Sequence, residues 1–152
     1  MEEQNNIRKG RISFAKIVVS VSWVLYITSL FLPCIIYKYR LGEMELLGRH
    51  ILFSGYLAIL YGNLGWFANP FFWLATFGFL RSKSHKELSL TAVLAAISFI
   101  IALYSLSTEK IWFDDNYRKV IDFGIGYYFW LASITILLVI IIVDLKIRFY
   151  KK

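Results

Sequence analysis

His50–Leu80, HILFSGYLAILYGNLGWFANPFFWLATFGFL, is apolar enough to enter a bilayer, yet it carries Asn63, Trp66, Asn69 and Pro70 where a simple anchor would carry Leu and Ile. As one straight helix it would reach ~46 Å, well beyond a hydrocarbon core of ~30 Å. The stretch is therefore expected to be tilted, kinked or partly outside the core. Pro70 removes a backbone donor and disfavours the helical conformation at Asn69, which predicts a kink or break there. Lipid offers no partner to the freed backbone groups, and Asn63 and Asn69 are the side chains expected to repair them or to cap a half-helix. Ser54, Ala58 and Gly62 recur every four positions and predict a seam that lets another helix approach closely.

Outward from this stretch, three uncharged runs predict three further spans: Ile17–Tyr37, Leu88–Leu106 and Gly126–Val143. Each is long enough, at ~1.5 Å per residue, to cross most or all of the core. The first run is too long for a signal peptide and no A-x-A-like cleavage site follows it, so it is expected to remain in the protein. The short basic connection Arg81–Glu87 makes its flanking helices antiparallel neighbours. The expected fold class is all-α: a single domain over residues 1–152, a four-helix transmembrane bundle with spans at about 17–37, 50–80 (kinked), 88–106 and 126–143.

Composition agrees with that class. In 152 residues, 59% are hydrophobic and 18% aromatic, and the mean hydropathy is +0.61, above what a soluble domain carries. The net charge of +7 resides in short segments flanking the apolar runs, a membrane-topology pattern, and no nucleic-acid-binding motif accompanies it. Eleven of the 17 Lys and Arg residues fall in the N-terminal segment, the Arg81–Glu87 connection and the C-terminal segment. The positive-inside rule then predicts a plasma (bacterial inner) membrane protein with both termini cytoplasmic.

Chemistry-bearing residues are sparse. Cys34 is the single cysteine, which rules out an intramolecular disulfide or a CxxC pair, and it is expected to be a buried, inert thiol. No ionisable residue lies near the middle of any expected span, whereas intramembrane catalysts and ion-coupled transporters usually need one. No zinc, nucleophile-elbow or phosphate-loop motif occurs. Glu43 and Glu45 read as a solvated loop pair, as do Asp114, Asp115 and Asp122, and His50 as an interfacial histidine. No catalytic residue, metal or cofactor is expected.

Pro33, Cys34, Gly55, Trp66, Ala68, Asn69, Pro70, Gly126, Tyr128, Trp130 and Leu131 together give the order LPC, a Gly-rich helix running into WFANP, and GYYFWLAS opening the last span. In this order the chain resembles small four-span bacterial integral membrane proteins. The resemblance implies a membrane fold and carries no activity.

The function expected from these readings is non-enzymatic: an integral membrane protein that binds another membrane protein or a lipid, as accessory subunits and immunity or exclusion proteins do. Its contact candidates are Asn63, Trp66, Asn69 and Pro70, beside the Ser54, Ala58 and Gly62 seam. Two alternatives stand. A small homo-oligomeric channel or transporter would have a water-accessible Asn63, and an interfacial enzyme would bring Asp114 and Asp115 together with His50. Membrane lipid and a protein partner or second copy are the expected partners.

Overall fold

The computed structural model describes residues 2–39, 42–113 and 116–150. Helix α1 (Glu2–Phe31) leads into strands β1 (Pro33–Tyr39) and β2 (Gly42–Leu47), then helices α2 (Gly48–Ser54), α3 (Ala68–Arg81) and α4 (His85–Tyr104), strands β3 (Lys110–Phe113) and β4 (Asn116–Phe123), and helix α5 (Ile125–Tyr150). The two hairpins merge into one antiparallel four-stranded sheet of order β2-β1-β4-β3, with Tyr37 opposite Met44, Ile36 opposite Asp122 and Ile111 opposite Arg118.

This corrects the expected fold: the chain is not an all-α four-helix bundle. The first helix stops at Phe31, six residues before the end of the apolar run, and Pro33 explains the stop. Proline lacks an N–H and forces Leu32 out of the helical region. The Cys-Ile-Ile-Tyr that follows is rich in β-branched and aromatic residues, which fit a pleated surface. Its apolar character served a strand as well as a span. Glu43 and Glu45 lie on one face of β2, exposed, and the 107–125 connection supplies the second hairpin.

The second expected span is not one kinked helix either. The chain runs through α2, a 3₁₀ stretch (Gly55–Tyr61), a left-handed Gly62 (φ 78°) and a second 3₁₀ turn (Gly65–Phe67) before α3 begins. Pro70 is the third residue of α3, in the first turn, where its missing N–H is not needed. It starts a helix rather than bending one. At 14 residues α3 is ~21 Å long, short of a ~30 Å core. Among the described residues, three helices are long and apolar enough to cross a membrane: Phe14–Phe31, His85–Ser107 and Ile125–Arg148.

The helices pack in the order α1-α5-α4-α3. Small polar side chains mark the close approaches: Ser22 Oγ donates to the Ser133 carbonyl at 2.8 Å between α1 and α5, and Ser98 Oγ donates to the Ala68 carbonyl at 2.8 Å between α4 and α3. Phe72, Leu88, Ala95, Ile134, Leu137 and Ile141 are fully buried between the helices. Trp23, Tyr26 and Phe72 join α1 to α3, with ring centroids 5.0–5.5 Å apart. Outward lie rows of exposed apolar side chains, among them Ile17, Val21 and Val24 on α1, Leu90, Val93 and Ile100 on α4, and Val139 on α5, the surface a bilayer would cover.

The Ser98–Ala68 bond fixes the level at which α3 starts. From Ser98, α4 continues to Tyr104 and a 3₁₀ turn follows to Ser107, together ~15 Å of chain. Helix α3 therefore begins about that far below the end of its neighbour. The gap is filled by α2, the 3₁₀ segments and the site described next. At the opposite end, Ser84 and Glu87 form a capping box on α4, and Arg148 binds both Asp144 at 2.9 Å and the Ser82 carbonyl at 3.5 Å, tying α5 to the α3–α4 turn.

Candidate functional site

Beneath the sheet, where α1 ends and α3 and α5 begin, lies a cavity of about 90 Å³. Ser29 and Leu30 of α1, Cys34 and Ile35 of β1, Gly48, Ile51 and Leu52 of α2, and Phe123, Tyr127 and Trp130 at the start of α5 surround it. Asn63, Gly65, Trp66, Asn69, Ser105 and Thr108 complete the lining. It is mostly apolar, and none of these side chains is charged at neutral pH.

The backbone between Gly55 and Phe67 is not in an α-helical ladder, so its polar groups need other partners. Side chains supply them. Asn63 Oδ1 accepts from the Gly65 N–H at 2.9 Å, and its amide nitrogen donates to Thr108 Oγ1 at 3.2 Å. Trp66 Nε1 donates to the Leu52 carbonyl at 2.8 Å, tying the end of α2 to the turn before α3. Asn69 is the most connected: its nitrogen donates to the Trp66 carbonyl at 2.9 Å, while Oδ1 accepts from Tyr26 Oη at 3.0 Å and from Trp130 Nε1 at 2.9 Å. One buried amide thus joins α1, α3, α5 and the turn. Tyr127 Oη donates to the Ala102 carbonyl at 2.6 Å, the same carbonyl that accepts from Ser105 Oγ at 2.7 Å.

Glycines set the spacing. A Cβ on Gly65 would sit 2.7 Å from Ser105 Cβ, and one on Gly126 would sit 2.8 Å from Cys34 Sγ. At Gly48 an added Cβ would collide with the Ser29 carbonyl. These contacts bring the turn after α4, β1 and α2 against the cavity wall. The Cys34 thiol donates to the Ser29 carbonyl at 3.5 Å, and burial pushes it up to about 12 from an ordinary value of 9.0. A thiol so placed is protonated at neutral pH and is a poor nucleophile.

Of the contact candidates, the structure gathers Asn63, Trp66 and Asn69 around this cavity; Pro70 stands outside it, half-buried in the first turn of α3. The Ser54, Ala58 and Gly62 positions do not share one helical face, because the 3₁₀ stretch starts at Gly55. Ser54 is exposed and bonds the His50 carbonyl at 2.6 Å, and Gly62, also exposed, caps the 3₁₀ stretch with open space beside it. His50 is exposed on α2 and does not line the cavity; Asp114 and Asp115 lie outside the described residues. Among the described residues no three His, Cys, Asp or Glu side chains converge.

Sequence reasoning missed Tyr26, Ser105, Thr108, Gly65 and Tyr127 as site residues, and it singled out Trp130 within the GYYFWLAS order and not as a site residue. The spacing of Tyr127 and Trp130, three apart on one face of α5, was the available signal that both point the same way. Tyr26 had no comparable marker, because its partner is 43 residues away.

Among the described residues, fold and site together define a helical assembly with three helices of membrane-crossing length, two shorter helices, a covering sheet and an uncharged cavity between them. No protein-family model matches the chain, and neither does any curated protein or solved structure.

Proposed function

We propose that this is a non-enzymatic integral membrane protein that binds a membrane lipid in the cavity beneath the sheet. The observation that carries this reading is the lining itself: apolar walls from Leu30, Ile35, Ile51, Leu52 and Phe123, uncharged polar groups already held in fixed bonds, and a protonated Cys34. A catalytic site needs groups that titrate near neutral pH or a nucleophile with an activating base. A binding site needs shape and a few placed polar groups. The size favours lipid over protein, since about 90 Å³ accepts part of a chain and not a helix.

The membrane setting accounts for the hydrogen bonds. Non-helical backbone at bilayer depth is tolerated where it is buried in protein or lines a cavity, and Gly55–Phe67 does both in part. Arg8, Lys9, Arg11, Lys16, Arg81, Lys83, Lys86, Lys146 and Arg148 belong to the segments away from the sheet, and the positive-inside rule puts that side, with both termini, in the cytoplasm of a cell whose plasma membrane holds the protein. The sheet then faces outward.

Native mass spectrometry of the full chain released from mild detergent tests the reading. One lipid retained per chain, and lost in Ile51→Trp, supports it. A chain that carries no lipid but co-purifies with one membrane protein contradicts it and favours an accessory or immunity role.

One observation favours a second reading, a channel or transporter. The N-terminus of the short helix α3 borders the cavity, as half-helices border substrate sites in transporters. That reading requires a homo-oligomer and water reaching Asn63.

A further inference from the structure

The chemistry of the bound group can be narrowed, on the footing that the cavity takes lipid. Charge is excluded first. None of the lining side chains is ionised at neutral pH, and a carboxylate or phosphate placed there would lose its hydration without a counter-charge. The ligand portion inside is therefore neutral.

Hydrogen-bonding capacity is decided next. Each side-chain amide has two N–H donors. Asn63 uses one toward Thr108 Oγ1 and Asn69 uses one toward the Trp66 carbonyl. On the acceptor side, Asn69 Oδ1 already takes two donors, from Tyr26 and Trp130, which fills both lone pairs. The two amides at the cavity wall thus have donors to offer, and at Asn69, which is 95% buried, nothing left to accept with. A buried donor with no partner is costly, so a ligand that supplies an oxygen acceptor is favoured over a plain hydrocarbon. A ligand that must donate finds the Asn69 oxygen saturated and one lone pair left on Asn63 Oδ1, which already takes the Gly65 N–H.

We infer that the cavity binds the uncharged carbonyl group of an acyl ester, as carried by a glycerolipid, with the Asn63 and Asn69 amides donating to the carbonyl oxygen and the chain lying against Leu30, Ile51 and Leu52. The bound form is a neutral ester whose chain continues out into the bilayer. No bond is made or broken.

Photolabelling in phosphatidylcholine vesicles tests this with three probes of one chain length, each carrying a diazirine near the polar end: a methyl ester, the free acid above neutral pH, and the alkane. The ester is expected to label the peptides containing Leu30 and Ile51–Leu52 roughly tenfold more than the other two, the ratio that one satisfied buried donor produces. Asn63→Asp keeps the acceptor for the Gly65 N–H and replaces the donor with a carboxylate, so it should erase that preference. If Asn63→Asp does not fold, Ile51→Trp, which fills the cavity from α2, should abolish ester labelling instead. Equal labelling by ester and alkane, or stronger labelling by the acid, overturns the carbonyl assignment and leaves lipid binding standing. Labelling confined to the outward face of α4, at residues such as Leu90 and Val93, with none at the cavity peptides, overturns both.

Discussion

The Tyr26 hydroxyl reaches across from α1 to Asn69 Oδ1 on α3 at 3.0 Å, and the same oxygen holds the Trp130 indole of α5 at 2.9 Å. Through this one amide, three helices and the turn before α3 share a single group. Asn69→Leu leaves the buried Tyr26 hydroxyl and the half-buried Trp130 indole without that acceptor and removes the bond to the Trp66 carbonyl. We expect a loss of about 2–4 kcal/mol, against ~1 kcal/mol for Tyr26→Phe, which removes its own donor cleanly. Thermal unfolding in detergent reads both. Equal losses from the two variants would mean that Asn69 is not the shared acceptor.

The glycines separate crowding from strain. Gly65→Ala places a Cβ 2.7 Å from Ser105 Cβ and should cost about 1–3 kcal/mol through overpacking. Gly62→Ala meets open space but holds φ at +78°, so about 1 kcal/mol of backbone strain is expected. Gly42→Ala has neither problem and should be silent in the same unfolding measurement.

The helices were largely legible in the sequence, and the sheet was not, for one reason. Hydropathy reports that Pro33–Tyr37 avoids water, and both a helix end and a buried strand satisfy that. Only the Pro33 stop distinguishes them. The two hairpins also pair residues far apart in the chain, such as Ile36 with Asp122, which no local pattern announces. In the central stretch, Asn63, Trp66 and Asn69 stood out because polar groups in an apolar run must have partners. Where the break falls was not readable: Asn69-Pro70 drew attention, yet Pro70 fits the first turn of α3, and the chain is reversed by Gly62 and the 3₁₀ stretches around it.

Cys34 gives a pH signature. Its folded value near 12 lies above the ordinary 9.0, so below pH 9 folded and unfolded thiols are both protonated and it contributes no slope. Between those values the unfolded thiol ionises and the folded one does not. Stability should then fall as pH rises, by roughly 1.4 kcal/mol per pH unit from this group, and Cys34→Ala should remove that part of the slope. A maleimide should modify Cys34 at neutral pH only after unfolding. Rapid modification of the folded protein would contradict the burial.

Sidedness follows from the charge asymmetry. In a Cys34→Ala background, a cysteine at Glu43 should react with a membrane-impermeant thiol reagent added to intact cells, and one at Lys83 only after the membrane is opened. The reverse pattern would place the sheet in the cytoplasm.

The most direct test of lipid binding beneath the sheet is a photoreactive amino acid at Leu52, irradiated in native membranes, with the adduct identified by mass. An increase of one lipid mass on the chain is expected, abolished when Ile51→Trp fills the cavity. An adduct to a second protein at that position, or none beyond solvent insertion, would contradict it.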